Sequence, residues 1–130
     1  MKSKVYVIDT NVIIRYLLAD HKDFFEQARS FMEEVKVGRK KALILESVIT
    51  ECVYVLLKVY KVPKREVAEK LAGILEYKGI VNPDKERLVR ALFLFGKENV
   101  DIVDAIVFIF GKTGKNMEIF SFDKDFEKLE

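Results

Sequence analysis

Four acidic residues occupy positions in the sequence where a carboxylate needs a specific partner. Asp9 and Asp123 each follow a short apolar run, and Glu51 and Asp104 each interrupt an apolar segment near the start of a predicted helix. A carboxylate withdrawn from water without a partner costs several kcal/mol, so such residues require a cation, hydrogen-bond donors or a bound metal. We predict from these four positions together that the acids share one site.

Carboxylate ligands of this kind select a hard divalent cation. Mg²⁺ and Mn²⁺ prefer oxygen ligands, whereas zinc sites draw on His and Cys. The chain has one of each, His21 and Cys52. A metal held by four carboxylates can activate water and stabilise the charge that develops in an in-line displacement at phosphorus. The residue types therefore indicate Mg²⁺ or Mn²⁺ and a reaction at a phosphate.

Some of these acids have a simpler explanation. Asp9 is followed by a predicted helix, and Asp is a common helix N-cap, so capping and catalysis are both open for it. Asp101 lies one helical turn before Asp104 and is either an N-cap or a further acid of the same site. Asp125 lies two residues after Asp123 and either replaces it in the site or caps the last turn of the chain.

Length and composition predict one globular domain without membrane segments. A chain of 130 residues, half of them hydrophobic and a third charged, most simply forms a single domain. No apolar stretch approaches the roughly 20 residues that span a bilayer, and only four apolar residues precede Asp9, too few for a signal-peptide core. A single cysteine excludes an internal disulfide and is typical of a reducing compartment. We predict a cytoplasmic protein.

Short apolar runs alternate with amphipathic segments along the chain. The runs at residues 5–8, 42–45, 79–81 and 117–120 predict strands, the first of them buried. Helices are predicted from about residue 12 to 18, 24 to 36, 47 to 60, 64 to 77, 82 to 96 and 101 to 110, with a polar break at 20–23. This alternation predicts an α/β fold, a single domain over residues 1–130 with a short central parallel sheet flanked by helices on both faces.

The ordered motifs resemble those of PIN domains, particularly the small prokaryotic ribonucleases of the VapC toxin type. That family has an acid within Asp-Thr/Ser-Asn after the first strand and a Glu in the helix after the second strand. An Asp-Ala dipeptide then opens a buried helix, and Thr/Ser-x-Asp follows the last strand. The corresponding residues here occur in the same order along essentially the whole chain: Asp9-Thr10-Asn11, Glu51, Asp104-Ala105 and Ser121-Phe122-Asp123. Each motif alone is weak, but the ordered set is fairly specific.

The resemblance implies a Mg²⁺- or Mn²⁺-dependent endoribonuclease that cleaves RNA with metal-activated water. It implies that the four acids Asp9, Glu51, Asp104 and Asp123 coordinate the metal. It also implies that Thr10 or Ser121 supports the site by hydrogen bonding and that Asn11 holds the acidic loops together. For partners, it implies a homodimer and, for a toxin, a cognate antitoxin encoded beside the gene.

Two other functions fit part of the pattern. A PIN-like domain can serve as an RNA-binding or assembly module with weak or no catalysis, but the presence of all four acids favours the enzyme. A phosphotransfer enzyme with Asp9 as nucleophile, similar to haloacid-dehalogenase-like phosphatases, needs a second Asp two residues on, where this chain has Asn11. Within the predicted site, Asp104 is preferred to Asp101 because Ala105 completes the Asp-Ala dipeptide.

An acidic site that cleaves RNA needs basic residues nearby to attract the phosphates. Arg15, Lys58 and Lys61 lie on predicted helices that border the expected cleft, and we predict weak RNA contacts for them, although solvated faces are the common location of such residues. Tyr16, Tyr54 and Tyr60 could stack on bases, but packing in the core or in a dimer is the expectation for them.

Overall fold

Two short strands pair in parallel in the computed structural model, which describes residues 4–19 and 22–129. Strand β1 (Val5–Val7) lies beside β2 (Lys41–Leu43), with Val5 opposite Lys41 and Val7 opposite Leu43. On the other edge of β2, Ala42 forms a single parallel bridge to Ile80. The predicted parallel pairing of the first two strands is confirmed, and the predicted third strand is reduced to this one bridge.

Helices make up most of the described chain. They are α1 (Thr10–Leu18), α2 (Lys22–Lys36), α3 (Glu46–Tyr54), α4 (Lys64–Leu75), α5 (Lys85–Lys97) and α6 (Ile102–Thr113). A π-helical turn, Val55–Val59, continues α3, and a 3-10 helix covers Lys124–Leu129. The predicted mixed α/β class is confirmed. Within the described ranges, no helix combines the length and the apolar character that a membrane crossing requires.

One hydrophobic core joins the sheet and all six helices of the described chain, and within it α4 packs closely against α5 and α5 against α6. Leu71 and Leu75 of α4 and Leu88 and Leu92 of α5 are fully buried, and each pair is four residues apart on one helix face. Burying a side chain of this size contributes about 1.5–3 kcal/mol. The helices α1 and α3 also pack on one another, which brings Asp9 at the start of α1 toward the α3 residue Glu51.

Two expectations about the sheet are wrong. Strand β1 is not buried, because Val5 is 49% and Val7 61% exposed, and the buried residue is Ile8, which follows the strand. In the described chain, residues 117–120 form no strand. Ile119 packs against Gly111 of α6 instead, where an added Cβ would lie 2.3 Å from the Cγ1 atom of Ile119. With no strand on its outer edge, β1 stays at the border of the described sheet, and its three side chains are exposed.

Some helix boundaries also differ from the expectations. The residue type of Ser47 predicts an N-cap for α3, but Leu45 holds that position, and its side chain makes no capping hydrogen bond. The strongly apolar sequence of residues 106–110 predicts a helix that is buried on all sides, but Val103 and Val107 are exposed on one side of α6. Of the predicted polar break, residues 20 and 21, including His21, lie outside the described residues.

Asn82 anchors the end of β2. Its buried side chain accepts a hydrogen bond from the Ile44 backbone N–H at 2.9 Å and donates one to the Ile44 carbonyl oxygen at 2.6 Å. A second donation reaches Asp84 Oδ1 at 3.1 Å. The amide thus takes the place of a neighbouring strand for Ile44, whose buried backbone groups need partners. This contact fixes the point at which the chain leaves β2 for α3, the helix that carries Glu51.

We expect Asn82→Ala to lower the free energy of unfolding by about 2–3 kcal/mol, because the substitution leaves the buried backbone N–H and C=O of Ile44 without partners. Urea unfolding followed by circular dichroism measures this change. Gln27→Ala, an exposed amide on α2, is the matched control and should shift stability by no more than about 0.5 kcal/mol. Equal unfolding midpoints for the Asn82 variant and wild type would contradict the anchoring role.

Candidate active site

Asp9 lies at the N-terminus of α1, directly after β1 and Ile8. Its backbone is extended, and its Oδ1 atom accepts a hydrogen bond from the Thr10 backbone N–H at 2.8 Å. The capping role considered from the sequence is therefore present. The side chain remains exposed, so the cap leaves carboxylate oxygen available for a second interaction.

Thr10 links Asp9 to the acid on α3. The Thr10 side chain is buried, and its hydroxyl donates a hydrogen bond to Glu51 Oε1. Cys52, beside Glu51, is buried, and its thiol pKa is raised to about 12, first by burial and then by the negative charges of Glu51 and Asp9. Both carboxylates therefore lie near the same thiol. We call Asp9 and Glu51 the first acidic pair.

A second group of acids surrounds a cavity of about 480 Å³ beside the N-terminus of α6. Its lining includes five carboxylates and one lysine: Glu98, Asp101, Asp104, Asp123, Asp125 and Lys128. We call this the acidic cavity. It brings Asp104 and Asp123, which are 19 positions apart in the chain, to a common space, together with the alternatives Asp101 and Asp125.

Local hydrogen bonds hold the acids of this cavity in place. Asp101 is the N-cap of α6, and its Oδ1 atom accepts from the Asp104 backbone N–H at 3.0 Å. Ser121 Oγ accepts from the Asp123 backbone N–H at 3.0 Å, and Asp123 Oδ1 accepts from the Asp125 backbone N–H at 2.8 Å. Asp101, Asp104, Asp123 and Asp125 are thus each linked to a neighbour close in sequence.

The charged form of Asp104 is disfavoured by its position in the acidic cavity. Its carboxyl pKa is raised, first by partial burial and then by the negative charges of Asp101, Asp123 and Asp125. Like charges that face one cavity disfavour ionisation of each other. The cavity therefore has a surplus of negative charge that a cation would relieve.

The acids are less buried than their apolar neighbours in the sequence suggest. Asp9, Glu51 and Asp123 are exposed and Asp104 is half-buried, so the expectation of acids withdrawn from water is wrong. For Glu51 and Asp104 the reason is helical geometry, because residues adjacent in sequence lie on different faces of a helix. On α3, Cys52 points into the core while Glu51 faces outward.

The four predicted metal ligands lie in two groups, with Asp9 and Glu51 in the first acidic pair and Asp104 and Asp123 in the acidic cavity. In the part of the chain that the structure describes, no three Asp, Glu, His or Cys side chains are close enough to hold a metal ion. The donor set nevertheless fits a hard cation, because every candidate ligand is a carboxylate and the acidic cavity has uncompensated negative charge.

The remaining predicted residues lie outside the acidic cavity. Asn11 and Arg15 line a separate groove of about 540 Å³ between β1, α1 and α2, which Asp9 borders. Lys58 is exposed on the π-helical turn. Lys61 follows that turn in a left-handed backbone conformation with φ of 56°.

Lys64 lies near the acids, although the sequence contains no signal of it. Its Nζ atom donates a hydrogen bond to the Glu98 carbonyl oxygen at 2.7 Å and lies 4.8 Å from the centre of the Phe95 ring. Burial lowers the Lys64 pKa, and the charge of Asp101 acts in the opposite direction. The ammonium thereby fastens the start of α4 to the loop that leads into α6.

The fold and the ordered acids define a class of protein, and the comparison with known families names it. This chain belongs to the PIN domain family, whose model matches residues 6–130. Among curated proteins, the chain is similar to one named VapC ribonuclease from Aquifex aeolicus (strain VF5). The two are 27% identical over 124 residues, which cover 95% of this chain and 90% of the relative. No solved structure matches the chain significantly. The family resemblance inferred from the motifs is confirmed.

We expect Thr10→Val to lower the free energy of unfolding by about 1 kcal/mol, because it removes the hydrogen bond to the exposed Glu51 carboxylate. Thr10→Ser keeps the hydroxyl and should retain most of the stability. The double variant Thr10→Val/Glu51→Ala should have nearly the same free energy of unfolding as Glu51→Ala alone, because the hydrogen bond is already absent in Glu51→Ala. Urea unfolding of the four proteins of this double-mutant cycle measures the coupling. A coupling energy of zero would show that the hydroxyl contributes nothing through Glu51.

We expect Asp104→Asn to raise the melting temperature in EDTA at neutral pH, because it removes a carboxylate that its neighbours disfavour. The folded-state pKa of Asp104 lies above the unfolded value. The ionisation penalty is therefore absent below the unfolded pKa, grows as pH rises through the folded pKa and is complete above it. The gain in melting temperature over wild type should follow this pH dependence in thermal scans. Asp23→Asn, an exposed acid on α2, should show no such gain.

Proposed function

We propose that this chain is a Mg²⁺- or Mn²⁺-dependent endoribonuclease that hydrolyses RNA phosphodiester bonds, and that it is the toxin of a toxin–antitoxin pair. The observation that carries the proposal is the set of four acids, in family order, on a chain that belongs to the PIN family. Two further contacts support it. Thr10 bonds Glu51 next to Asp9, and Asp104 and Asp123 line one cavity.

In this proposal the four acids hold the metal and the neighbouring residues hold the acids. These acids would hold Mg²⁺ or Mn²⁺, whose chemistry would be to activate water and to stabilise the charge that develops on the scissile phosphate. Thr10 orients the Glu51 carboxylate through its hydroxyl. Ser121 fixes the backbone of Asp123, and Asp101 holds the N-terminus of α6 so that Asp104 faces the cavity. The side chains must draw closer than they stand here in order to share one ion.

The proposed partners are RNA as substrate, a second copy of the chain in a homodimer, and an antitoxin protein encoded beside the gene. These partners are proposed from the family resemblance and from the similarity to a protein named VapC ribonuclease. The proposed cytoplasmic location rests on the single cysteine, which is typical of a reducing compartment. Residues Arg15, Lys58 and Lys61 are the proposed weak contacts to RNA phosphates.

We expect Asp9→Asn and Asp104→Asn each to reduce RNA cleavage with Mn²⁺ by about 100-fold or more, because losing a metal ligand should cost at least as much as losing a residue that orients one. Initial rates on a labelled single-stranded RNA measure the loss. Asp23→Asn and Glu86→Gln remove exposed acids on α2 and α5 and should keep the wild-type rate. Undiminished cleavage by both site variants would refute the assignment.

Metal binding has a second readout that does not depend on activity. We expect Mn²⁺ to raise the melting temperature of the wild-type protein relative to EDTA, because a ligand that binds the folded state stabilises it. The increase should be smaller in Asp9→Asn and Asp104→Asn. A melting temperature that ignored Mn²⁺ and EDTA alike would argue against a shared metal site.

One observation favours a second function, an RNA-binding or assembly module with weak or no catalysis. The first acidic pair and the acidic cavity are separate groups, and among the described residues no three acids enclose an ion. A module of this kind would bind RNA with the same affinity in Mn²⁺ and in EDTA and would leave it intact. The cleavage and melting experiments therefore separate the two functions.

A further inference from the structure

Another concavity adjoins the acidic cavity and is separate from the groove that Asn11 and Arg15 line. It is a groove of about 540 Å³ between α3 with its π-helical turn on one side and the segment that enters α6 on the other. We call it the α3 groove. Asn99, Val100 and Asp101 line both the acidic cavity and the α3 groove. This short segment is therefore the rim that the two concavities share.

The α3 groove follows one face of a helix that also carries Glu51. Its wall comprises five residues at helical spacing: Thr50, Val53, Tyr54, Leu57 and Lys58. Glu51 precedes Tyr54 by three positions and Lys58 by seven, a separation of roughly 10 Å along the axis at 1.5 Å per residue. A flexible chain lying over Glu51 and continuing along α3 would pass Tyr54 and then Lys58.

Tyr54 and Lys58 are the wall residues that offer specific chemistry. Tyr54 is 65% exposed, so its ring is open to a planar ligand. On the opposite wall, Val103 of α6 is 55% exposed and adds apolar surface. Among the described residues Lys58 forms no ion pair. Lys64, in contrast, is engaged with the Glu98 carbonyl oxygen and the Phe95 ring, which leaves Lys58 as the cation available to a ligand.

The turn that carries Lys58 is itself unusual. Val55–Val59 is π-helical, closed by a hydrogen bond from the Tyr60 backbone N–H to the Val55 carbonyl oxygen at 3.2 Å. Such turns are rare and are frequently located at functional sites. Here the widened turn ends the wall of the groove and presents Lys58 on it.

The acidic cavity and the α3 groove differ in the sign of their charge. The acidic cavity has five carboxylates and one lysine in its lining, whereas the α3 groove has two lysines and one carboxylate. Phosphates that flank a bound metal would be repelled by the acidic cavity and attracted by the groove. Aromatic rings beside cations are the elements from which single-strand binding surfaces are built.

We propose that the α3 groove is a nucleotide-binding subsite for single-stranded RNA next to the scissile bond, with a base stacked on Tyr54 and a phosphate paired with Lys58. This inference rests on the proposed nuclease function and assigns the substrate-positioning residues of that same site. Tyr54 selects unpaired bases, because a base inside a duplex is already stacked and cannot reach the ring.

The test measures binding of a short, fluorescently labelled single-stranded RNA pool by anisotropy in EDTA, where metal-dependent cleavage does not occur. Tyr54→Ala should raise Kd about tenfold, and Tyr54→Phe should bind close to wild type because it keeps the stacking ring. Lys58→Gln should weaken binding and reduce the slope of log Kd against log salt by about 0.7, the value for one phosphate contact on a single strand. The same RNA as a duplex should bind more weakly to wild type.

Matched controls remove the same groups elsewhere on the surface. Phe93→Ala deletes an exposed ring on α5, and Lys70→Gln deletes an exposed charge on α4, both outside the α3 groove. Both should bind RNA as wild type does. In cleavage with Mn²⁺, Tyr54→Ala should raise KM more than it lowers kcat. Melting temperatures confirm that each variant is folded, which is expected because Tyr54, Lys58 and the control residues are exposed.

Three results would overturn the subsite. Unchanged RNA affinity and KM in Tyr54→Ala and Lys58→Gln, with cleavage still dependent on Asp9 and Asp104, would reject the groove and leave the nuclease intact. A change from dimer to monomer in Tyr54→Ala with unaltered RNA affinity would assign the groove to contact between copies. A wild-type protein that neither binds nor cleaves RNA would reject the proposed function together with its subsite.

Discussion

Repulsion between carboxylates is the constraint on which the arrangement of this protein depends. Acids that approach one another raise the free energy of the folded state unless each has its own donor or a shared cation. Asp9 accepts from the backbone of α1, Glu51 accepts from Thr10, and Asp101 accepts from the backbone of α6. These donors stabilise each acid separately and leave the surplus charge of the acidic cavity to be relieved by a cation.

The fold supports this arrangement by anchoring the elements away from the acids. Asn82 binds both backbone groups of Ile44 and so fixes the path from β2 to α3. At Gly79 an added Cβ would lie 2.1 Å from the Lys40 carbonyl oxygen, so only glycine permits the close approach of the third segment of the sheet. The buried faces of α4, α5 and α6 supply hydrophobic stabilisation, which offsets the repulsion between like charges on the surface.

The division of the surface into an acidic cavity and a neighbouring α3 groove suits a reaction on a polyanion. A site that concentrates carboxylates for a metal repels the phosphates on either side of the bond to be cut. In the proposed function, lysines and an exposed ring in the α3 groove would remove that conflict, because the flanking nucleotides would be held among positive charges. Asn99, Val100 and Asp101, which border both concavities, separate the two tasks.

Local sequence patterns were sufficient for the α/β class, the parallel pairing of β1 with β2, the approximate helix positions and the PIN family. These features depend on periodicity and on short motifs, which neighbouring residues determine. The association of Asp104 with Asp123 in one cavity also agrees with the order of the motifs. The role of each acid in catalysis stays a prediction, because it depends on a metal and a substrate.

Tertiary structure alone decided the exposure of β1 and of the acids, the packing of Ile119 on Gly111 in place of a strand, and the roles of Asn82 and Lys64. Each depends on a contact between segments far apart in sequence or on which helix face points outward after packing. Lys64 illustrates the limit, because nothing around it in the sequence indicates that its ammonium reaches Glu98. The sequence by itself determined the types and the order of the candidate acids. Packing determined which of them meet, because distances between separate elements are set by the core and not by local preference.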